Sequence, residues 1–387
     1  MKILQLIENI DNRYGGPSRS VVMDCLKLKQ AGHNCTIYST RWFKHEKNNL
    51  ITENKIEWFI FELSLKFKKA SYSLGLKRKL FSSINDFDII HVHCSYNYPS
   101  YLANIAKRKY NKKVIFTLRG NLFNSSNFIG FIIKKIMWFI FFKGFLKRCD
   151  GIVVTNKSDE LHLKNKLKLQ NIHYVPNAID LNSLKKVKRN IAIEILNLNN
   201  KTKYLLYLGR IHPHKGLHLL LGGVLEVIKK TENLKVIIAG PVEDRGYFNT
   251  LNNFIKKNKI GNKVIFMGQV EKHTKNLLYS IADFLVYPSK SENFGMSIAE
   301  SLYLGLPVIT TEKTSWLDIE KSKCGFIVNY KNSVEELNSL FKKIYLKNKF
   351  DINEMKLNAE IYFKHFMEKN YKKNILNVYE SCFLNQK

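Results

Sequence analysis

The sequence predicts an α/β protein made of two doubly wound parallel sheets. Short apolar runs alternate with helical stretches through the first 180 residues, and a second series of the same kind begins at residue 203. The length, 387 residues, is long for one core and comfortable for two domains. An apolar content of 45% with ordinary glycine and proline usage fits a globular chain.

In the first series the predicted strands are KILQLI (2–7), NCTIYST (34–40), KIEWFIF (55–61), DIIHVH (88–93), KVIFTL (113–118) and GIVVT (151–155). Several are apolar on both faces, as strands covered by helices on both sides must be. Between the first two, SRSVVMDCLKLKQAGH has helical spacing and stops at Gly32, a suitable C-cap. HYVPNAID (173–180) interrupts the rhythm with a Pro-Asn turn, and a Lys- and Asn-rich stretch runs on to about residue 202. The domain boundaries expected are therefore 1–180, a linker over 181–202, and a second domain over 203–363. The second series is KYLLYLG (203–209), LKVIIAG (234–240), KVIFMG (263–268), DFLVYP (283–288), PVITT (307–311) and GFIV (325–328). The segment from about 355 to 387 is helical, basic and dotted with aromatics.

The formal net charge is +31, and of the 63 basic residues ten are arginine, which leaves 53 lysines. This excess reads either as a lysine-rich solvated surface or as a match for an anionic partner: membrane lipid, nucleotide diphosphate or nucleic acid. The six cysteines are scattered without a CxxC pair, as expected for free thiols in a reducing compartment. MKILQLIENIDN runs straight into acids and lacks the pattern of a signal peptide. The most apolar segment, 127–150, is broken by Lys134, Lys135 and Lys143, so it is too short to span a bilayer. Its aromatic bulk and flanking lysines suit a helix lying in a membrane interface, and 65–81 is a second basic, apolar stretch in the same half. A core helix with snorkelling lysines would look similar. A cytoplasmic protein, peripheral on the inner face of the membrane, is the expected location.

SENFGMSIAE (291–300) concentrates chemistry. It follows the strand DFLVYP, and MSIAESLYLG reads as a helix ending at Gly305. Gly295 permits close backbone approach, and the amides from Phe294 to Met296 sit at a helix start, where unpaired N–H groups and the dipole favour phosphate. Glu300 lies one turn below Met296 on the same face, placed to accept two ribose hydroxyls, while Glu292 in the loop can hydrogen-bond a sugar. Both acids would also simply favour a helix start. LGRIHPHKG puts Arg210 and Lys215 in a glycine-flanked loop at the C-terminal end of a parallel strand, the usual ligand crevice of such sheets. Arginine offers phosphate a fork and lysine a point charge. His212 and His214 have no acid or cysteine at ligand spacing.

The ordered set GRIHPHKG, VIIAG, MGQV and YPSKSENFGMSIAESLYLGLPVITT resembles the signature of the group 1 (family 4) glycosyltransferases. GGPSRSV (15–21), FDIIHVHCSYNYPS (87–100), VIFTLRGNLF (114–123) and YVPNAID (174–180) extend the resemblance through the first half in the expected order. It implies the GT-B fold: two facing Rossmann-like domains with a cleft between them, and a C-terminal helix, about 364–387, crossing back onto the first. It implies a retaining, metal-independent, hexosyltransferase-type enzyme that uses a nucleotide-sugar donor and no cofactor. The acceptor would be a glycan, lipid-linked, and the role surface-polysaccharide or O-antigen-type synthesis, which the basic, aromatic first half supports. By the same resemblance Arg210 and Lys215 would neutralise the departing diphosphate and Glu292 would hold a donor-sugar hydroxyl. Phe294, Gly295 and Met296 would meet phosphate and sugar, Glu300 the ribose, and the backbone around Gln269 and Val270 the base. Gly15 and Gly16 would close over the diphosphate.

One position departs from the family pattern: Arg119 stands in TLRG where many members have histidine, and an arginine cannot act as a base at neutral pH. Arg119 and His93 are expected as acceptor or phosphate contacts, with His91 and His93 on the cleft floor or in the core. Asp86 and Asp88 spell DFD, but they lead into an apolar strand, so a turn is expected there and no metal. No strand is followed by GxGxxG, which argues against a dinucleotide-dependent dehydrogenase. No helix-turn-helix, zinc spacing or RNP-type strand marks a nucleic-acid binder. An epimerase or non-catalytic sugar-nucleotide-binding scaffold is the remaining alternative.

Overall fold

A computed structural model describes residues 1–11, 16–42, 49–67, 70–119, 128–370 and 374–384. The chain divides into two units, Met1–Ala178 with Asn370–Lys387, and Ile179–Lys369.

The first unit carries β1 (Lys2–Leu6), β2 (Asn34–Thr40), β3 (Glu57–Phe61), β4 (Leu65–Phe67), β5 (Ala70–Tyr72), β6 (Ile89–His93), β7 (Lys113–Leu118), β8 (Gly151–Val154) and β9 (Ile172–Tyr174). Seven of them form a parallel sheet in the order β3-β2-β1-β6-β7-β8-β9, while β4 and β5 pair antiparallel. Strand order reverses between β1 and β6, the switch point where open α/β sheets place ligands at the C-terminal strand ends. Every residue of β6 is buried, which is why that strand lacks the alternation of a half-exposed one. The helix Gly16–Gln30 connects β1 to β2 and is followed by Gly32 at φ 77°.

The second unit repeats the plan. β10 (Lys203–Leu208), β11 (Leu234–Ala239), β12 (Val264–Gly268), β13 (Phe284–Tyr287), β14 (Val308–Thr311) and β15 (Gly325–Val328) form a parallel sheet ordered β12-β11-β10-β13-β14-β15. Its switch point lies between β10 and β13. The six strands fall where the sequence places them, to within a residue at their ends.

Several expectations need correction. Residues 181–202 are not a bare linker: the helix Arg189–Ile195 buries Ala192 and Ile193 in the second core, and Arg189 donates to the carbonyls of Thr202 (2.9 Å) and Ile281. The apolar spacing of NIAIEIL provides that buried face. HYVPNAID begins as a short strand, β9, before its turn. Residues 364–369 stay with the second unit because the helix Ile352–Asn370 packs Phe363 and Phe366 into it, the latter 4.8 Å from the Trp316 ring. Only the following helix, Ile375–Leu384, joins the first unit.

That last helix is fixed by polar bonds inside an apolar setting. Gln5 Nε2 donates to Tyr379 Oη (2.8 Å), and His91 Nδ1 lies 2.5 Å from the same hydroxyl, with His91 Nε2 2.6 Å from Thr117 Oγ1. Burial pushes His91 and His93 well below their ordinary value of 6.5. The folded chain therefore keeps both rings neutral, whereas the unfolded chain protonates them below about pH 6.5. Their contribution to stability is complete above that pH and declines as pH falls below it. On acidification from about pH 7 to 5, Tm is expected to fall more steeply in the wild type than in His91→Gln; equal slopes would place the titration elsewhere. Tyr379→Phe is expected to cost about 1–3 kcal/mol in denaturant unfolding, since it strands two buried partners.

Candidate functional site

The C-terminal ends of the second sheet are drawn together by backbone contacts that only glycine allows. A Cβ on Gly240 (φ 145°) would lie 1.9 Å from the Gly209 carbonyl oxygen, and one on Gly216 (φ 72°) 1.8 Å from that of Pro288. The loop after β10 thus lies against the loop after β13. Hydrogen bonds fasten the contact: the Lys290 N–H donates to His214 O (2.9 Å), and Ser289 Oγ lies 3.0 Å from the same carbonyl. Thr311 Oγ1 at the end of β14 donates to Ser289 O (2.6 Å).

On this platform stand three ion pairs. Lys215, closing a short 3-10 turn that begins at Pro213, pairs with Glu292, and both side chains are largely covered. The ammonium also lies 5.4 Å from the centre of the Tyr287 ring, which is stacked on Tyr207. Burial, reinforced by the Glu292 charge, holds the Tyr287 hydroxyl well above its ordinary range, so it stays protonated. Arg210 Nη1 contacts Glu243 Oε1 at 2.6 Å, half-exposed beside the loop after β11. Glu300 is 1% exposed and receives the Tyr279 hydroxyl at 2.9 Å together with the ammonium of Lys275. The structure brings Arg210, Lys215 and Glu292 to neighbouring loops. Glu300 it places inside the helix packing, covered by two side chains of the helix Lys272–Ile281.

The helix Met296–Tyr303 starts behind Gly295 (φ 78°) with no side-chain cap on its first N–H groups. Phe294 is buried, its carbonyl receiving the indole N–H of Trp316, and Met296 is half-buried against the core. Val270 follows β12 and packs half-buried on the same core, near Gly268, whose carbonyl accepts from the Gly240 N–H (2.7 Å). Sequence reading missed Glu243, Lys275, Tyr279 and Tyr287. Lys275 and Tyr279 stand four apart on one helix, a spacing that offers both side chains to one partner. Glu243 follows the VIIAG strand as Arg210 follows its own.

In the first unit the residues expected as ligand contacts are bonded to one another and to their neighbours. Arg119 is 4% exposed at the end of β7 and donates from Nη1 to Ser20 Oγ and Asn177 Oδ1, both at 2.7 Å. Its other nitrogen lies 3.5 Å from Asp24 and 3.3 Å from His93 Nδ1. The His93 ring is fully buried, its Nε2 bonded to Gln5 Oε1 (2.7 Å). A buried carboxylate, Asp24, and neutral imidazoles give the guanidinium an internal role. Burial raises Asp24 above the ordinary carboxylate range, and Arg119 opposes that shift. Gly16 opens the helix Gly16–Gln30, half-buried, and Gly15 lies outside the described residues. Asp88 of the DFD stretch accepts from the Lys2 N–H (2.7 Å) at the start of β6. Among the described residues no three histidines, cysteines or acids stand together as metal ligands.

Comparison with known proteins agrees with the fold. Residues 188–373 match the family described as Glycosyl transferases group 1, and residues 14–183 match Glycosyltransferase Family 4. The alpha-monoglucosyldiacylglycerol synthase of Streptococcus pneumoniae is 26% identical over 294 residues, 73% of this chain and 65% of that protein's own length. The O-antigen biosynthesis glycosyltransferase WclY of Escherichia coli is 26% identical over 67% of this chain and 69% of its own. Among solved structures, the sucrose-phosphate synthase of Thermosynechococcus elongatus superposes with a TM-score of 0.79 at 16% identity, covering 100% of both chains. HepE of Anabaena, solved with UDP and glucose, gives 0.76 at 16% identity over 98% of this chain and 97% of its own. With two parallel sheets, the ordered motifs and both family matches in place, the chain belongs to the group 1 glycosyltransferases and has their GT-B fold.

Proposed function

We propose that the protein transfers a sugar from a nucleoside-diphosphate sugar to a glycan acceptor, lipid-linked and presented at a membrane surface. The role fits surface-polysaccharide synthesis, the work that the names of several relatives describe. The observation that carries this reading is the meeting of Arg210, Lys215 and Glu292 on loops fastened together beside an uncapped helix start. Two cations and a row of N–H groups suit a diphosphate, and a carboxylate beside them suits a sugar hydroxyl. The neighbouring fold of HepE holds UDP-glucose, which supports a nucleotide-sugar as donor.

In the reaction the bond from the anomeric carbon to the β-phosphate oxygen breaks, and its electron pair leaves with the diphosphate. Arg210 and Lys215 stabilise the charge that grows there, more in the transition state than in the ground state. The acceptor hydroxyl attacks the same face of the sugar, and its proton passes to the departing phosphate, so that configuration is retained. Lys215 and Glu292 are paired beforehand, so donor binding exchanges one partner of each for another: phosphate for the lysine, a hydroxyl for the acid. Such a site needs no resident metal, because side-chain cations carry the charge. Glu300, held by Tyr279 and Lys275, is oriented for the ribose hydroxyls.

A thermal-shift panel of UDP, GDP, ADP and their sugar conjugates tests the donor. One nucleotide should raise Tm as ligand linkage requires, by about 2.7 kcal/mol of stabilisation at a hundredfold excess over Kd. Arg210→Ala should lose that shift, and no shift with any nucleotide would favour a scaffold with no donor. In a transfer assay Glu292→Ala is expected to lower kcat by about ten- to a hundredfold with Tm little changed; full activity would remove it from the site. Glu300→Gln should weaken donor affinity about tenfold, and unchanged affinity would remove the ribose assignment.

A further inference from the structure

We propose that the first unit docks on an anionic membrane through one continuous face, which joins the helical segment after residue 128 to the β4–β5 hairpin through a row of aromatic rings. This inference rests on the membrane-surface reading above and assigns it to particular residues.

The segment is built of the helix Phe128–Met137, a π-helical turn Trp138–Phe142 and the helix Lys143–Arg148. It is apolar on two sides. Trp138, Phe142, Phe145 and Leu146 are buried in the first core, which accounts for one side. The other is uncovered: Phe139 is 71% and Ile140 80% exposed, with Ile132, Ile133, Ile136 and Met137 also exposed. A core helix needs only one apolar side, so the second calls for a partner. Among the described residues no helix is long and apolar enough to cross a membrane, and these side chains reach only the depth of an interfacial helix.

The hairpin enters the same face. Tyr72 of β5 lies 5.0 Å from Tyr98, Tyr98 stacks on Tyr101 at 6.3 Å, and Tyr101 lies 6.0 Å from Phe141, centre to centre. Tyr101 is itself half exposed, and Leu65 at the start of β4 is exposed. Two stretches that are more than fifty residues apart in sequence are thus joined by touching rings, and tyrosine suits the headgroup level.

Charge identifies the occupant. Residues 128–149 contain five cations and no acid, and residues 65–81 contain six cations and no acid. Lys134 and Lys135 lie over the rings of Tyr96 and Phe131, at 5.8 and 4.8 Å, with their stems along apolar surface as in snorkelling lysines. A second copy would set these cations against themselves, whereas a bilayer bearing anionic lipid meets both the isoleucines and the lysines.

Co-sedimentation of the full chain with phosphatidylcholine vesicles, with and without phosphatidylglycerol, tests the face. The wild type should bind the anionic vesicles, less so as salt is raised. Ile136→Glu with Ile140→Glu should weaken binding by about tenfold or more, and Leu65→Glu should also weaken it, while the Tm rise with the donor nucleotide persists. Equal binding of the vesicles by the doubly substituted and the wild-type chains would overturn the proposal. So would a Leu65→Glu chain that binds as tightly as the wild type, because the hairpin would then lie outside the face. Failure to bind vesicles, with a dimer that the same substitutions dissociate, would assign the face to a second copy instead. Loss of the nucleotide response in the wild type would count against the transfer reading and leave the docking result standing.

Discussion

Gly216 approaches Pro288 so closely that no side chain fits between them, and the proposed donor site depends on that contact. It brings the loop after β10 against the loop after β13, so that Lys215 meets Glu292 although the two stand 77 residues apart in sequence. Gly240 does the same for the loops after β10 and β11, beside which Arg210 meets Glu243. Two parallel strands that neighbour one another end side by side, and the short connections leaving them must share the space beyond the sheet. Glycine lets the backbones share it while charged side chains face outward from the contact.

Once the loops are fixed, the charges order one another. Arg210, Lys215 and Lys275 are each matched with an acid, and each of these pairs joins separate loops or helices. Pairing offsets part of the cost of covering a lysine or a glutamate. In the proposed reaction it would also preset their positions for exchange with a diphosphate and a sugar. The first unit uses charge differently. Arg119, Asp24, His93 and Gln5 form a buried network in which every member is held by another, and that network tethers the helix Gly16–Gln30 to Asn177.

The strands of both sheets were legible in the sequence because fully buried parallel strands read as unbroken apolar runs. The tight approach of the loop glycines was legible because they flank charged residues at strand ends. What escaped were features set by tertiary contact. β9 is three residues long and leads into a proline, so its local signal is a turn. The helix Arg189–Ile195 lies in a Lys- and Asn-rich stretch whose few apolar residues matter only against the second core. Lys275 and Tyr279 look like ordinary helix residues until Glu300 is seen beneath them. The bonds of His93 and Arg119 to Gln5 and Asp24 could not be read from the sequence, because spacing does not connect those residues.

The central claim is that Arg210 and Lys215 read the diphosphate of the donor. Calorimetric titration with the diphosphate that stabilises the chain best, and with the corresponding monophosphate, tests it most directly. The diphosphate should bind about tenfold or more tightly, and that difference should vanish in Lys215→Ala. Equal affinities for the two nucleotides in the wild type, or a difference that survives in Lys215→Ala, would contradict it.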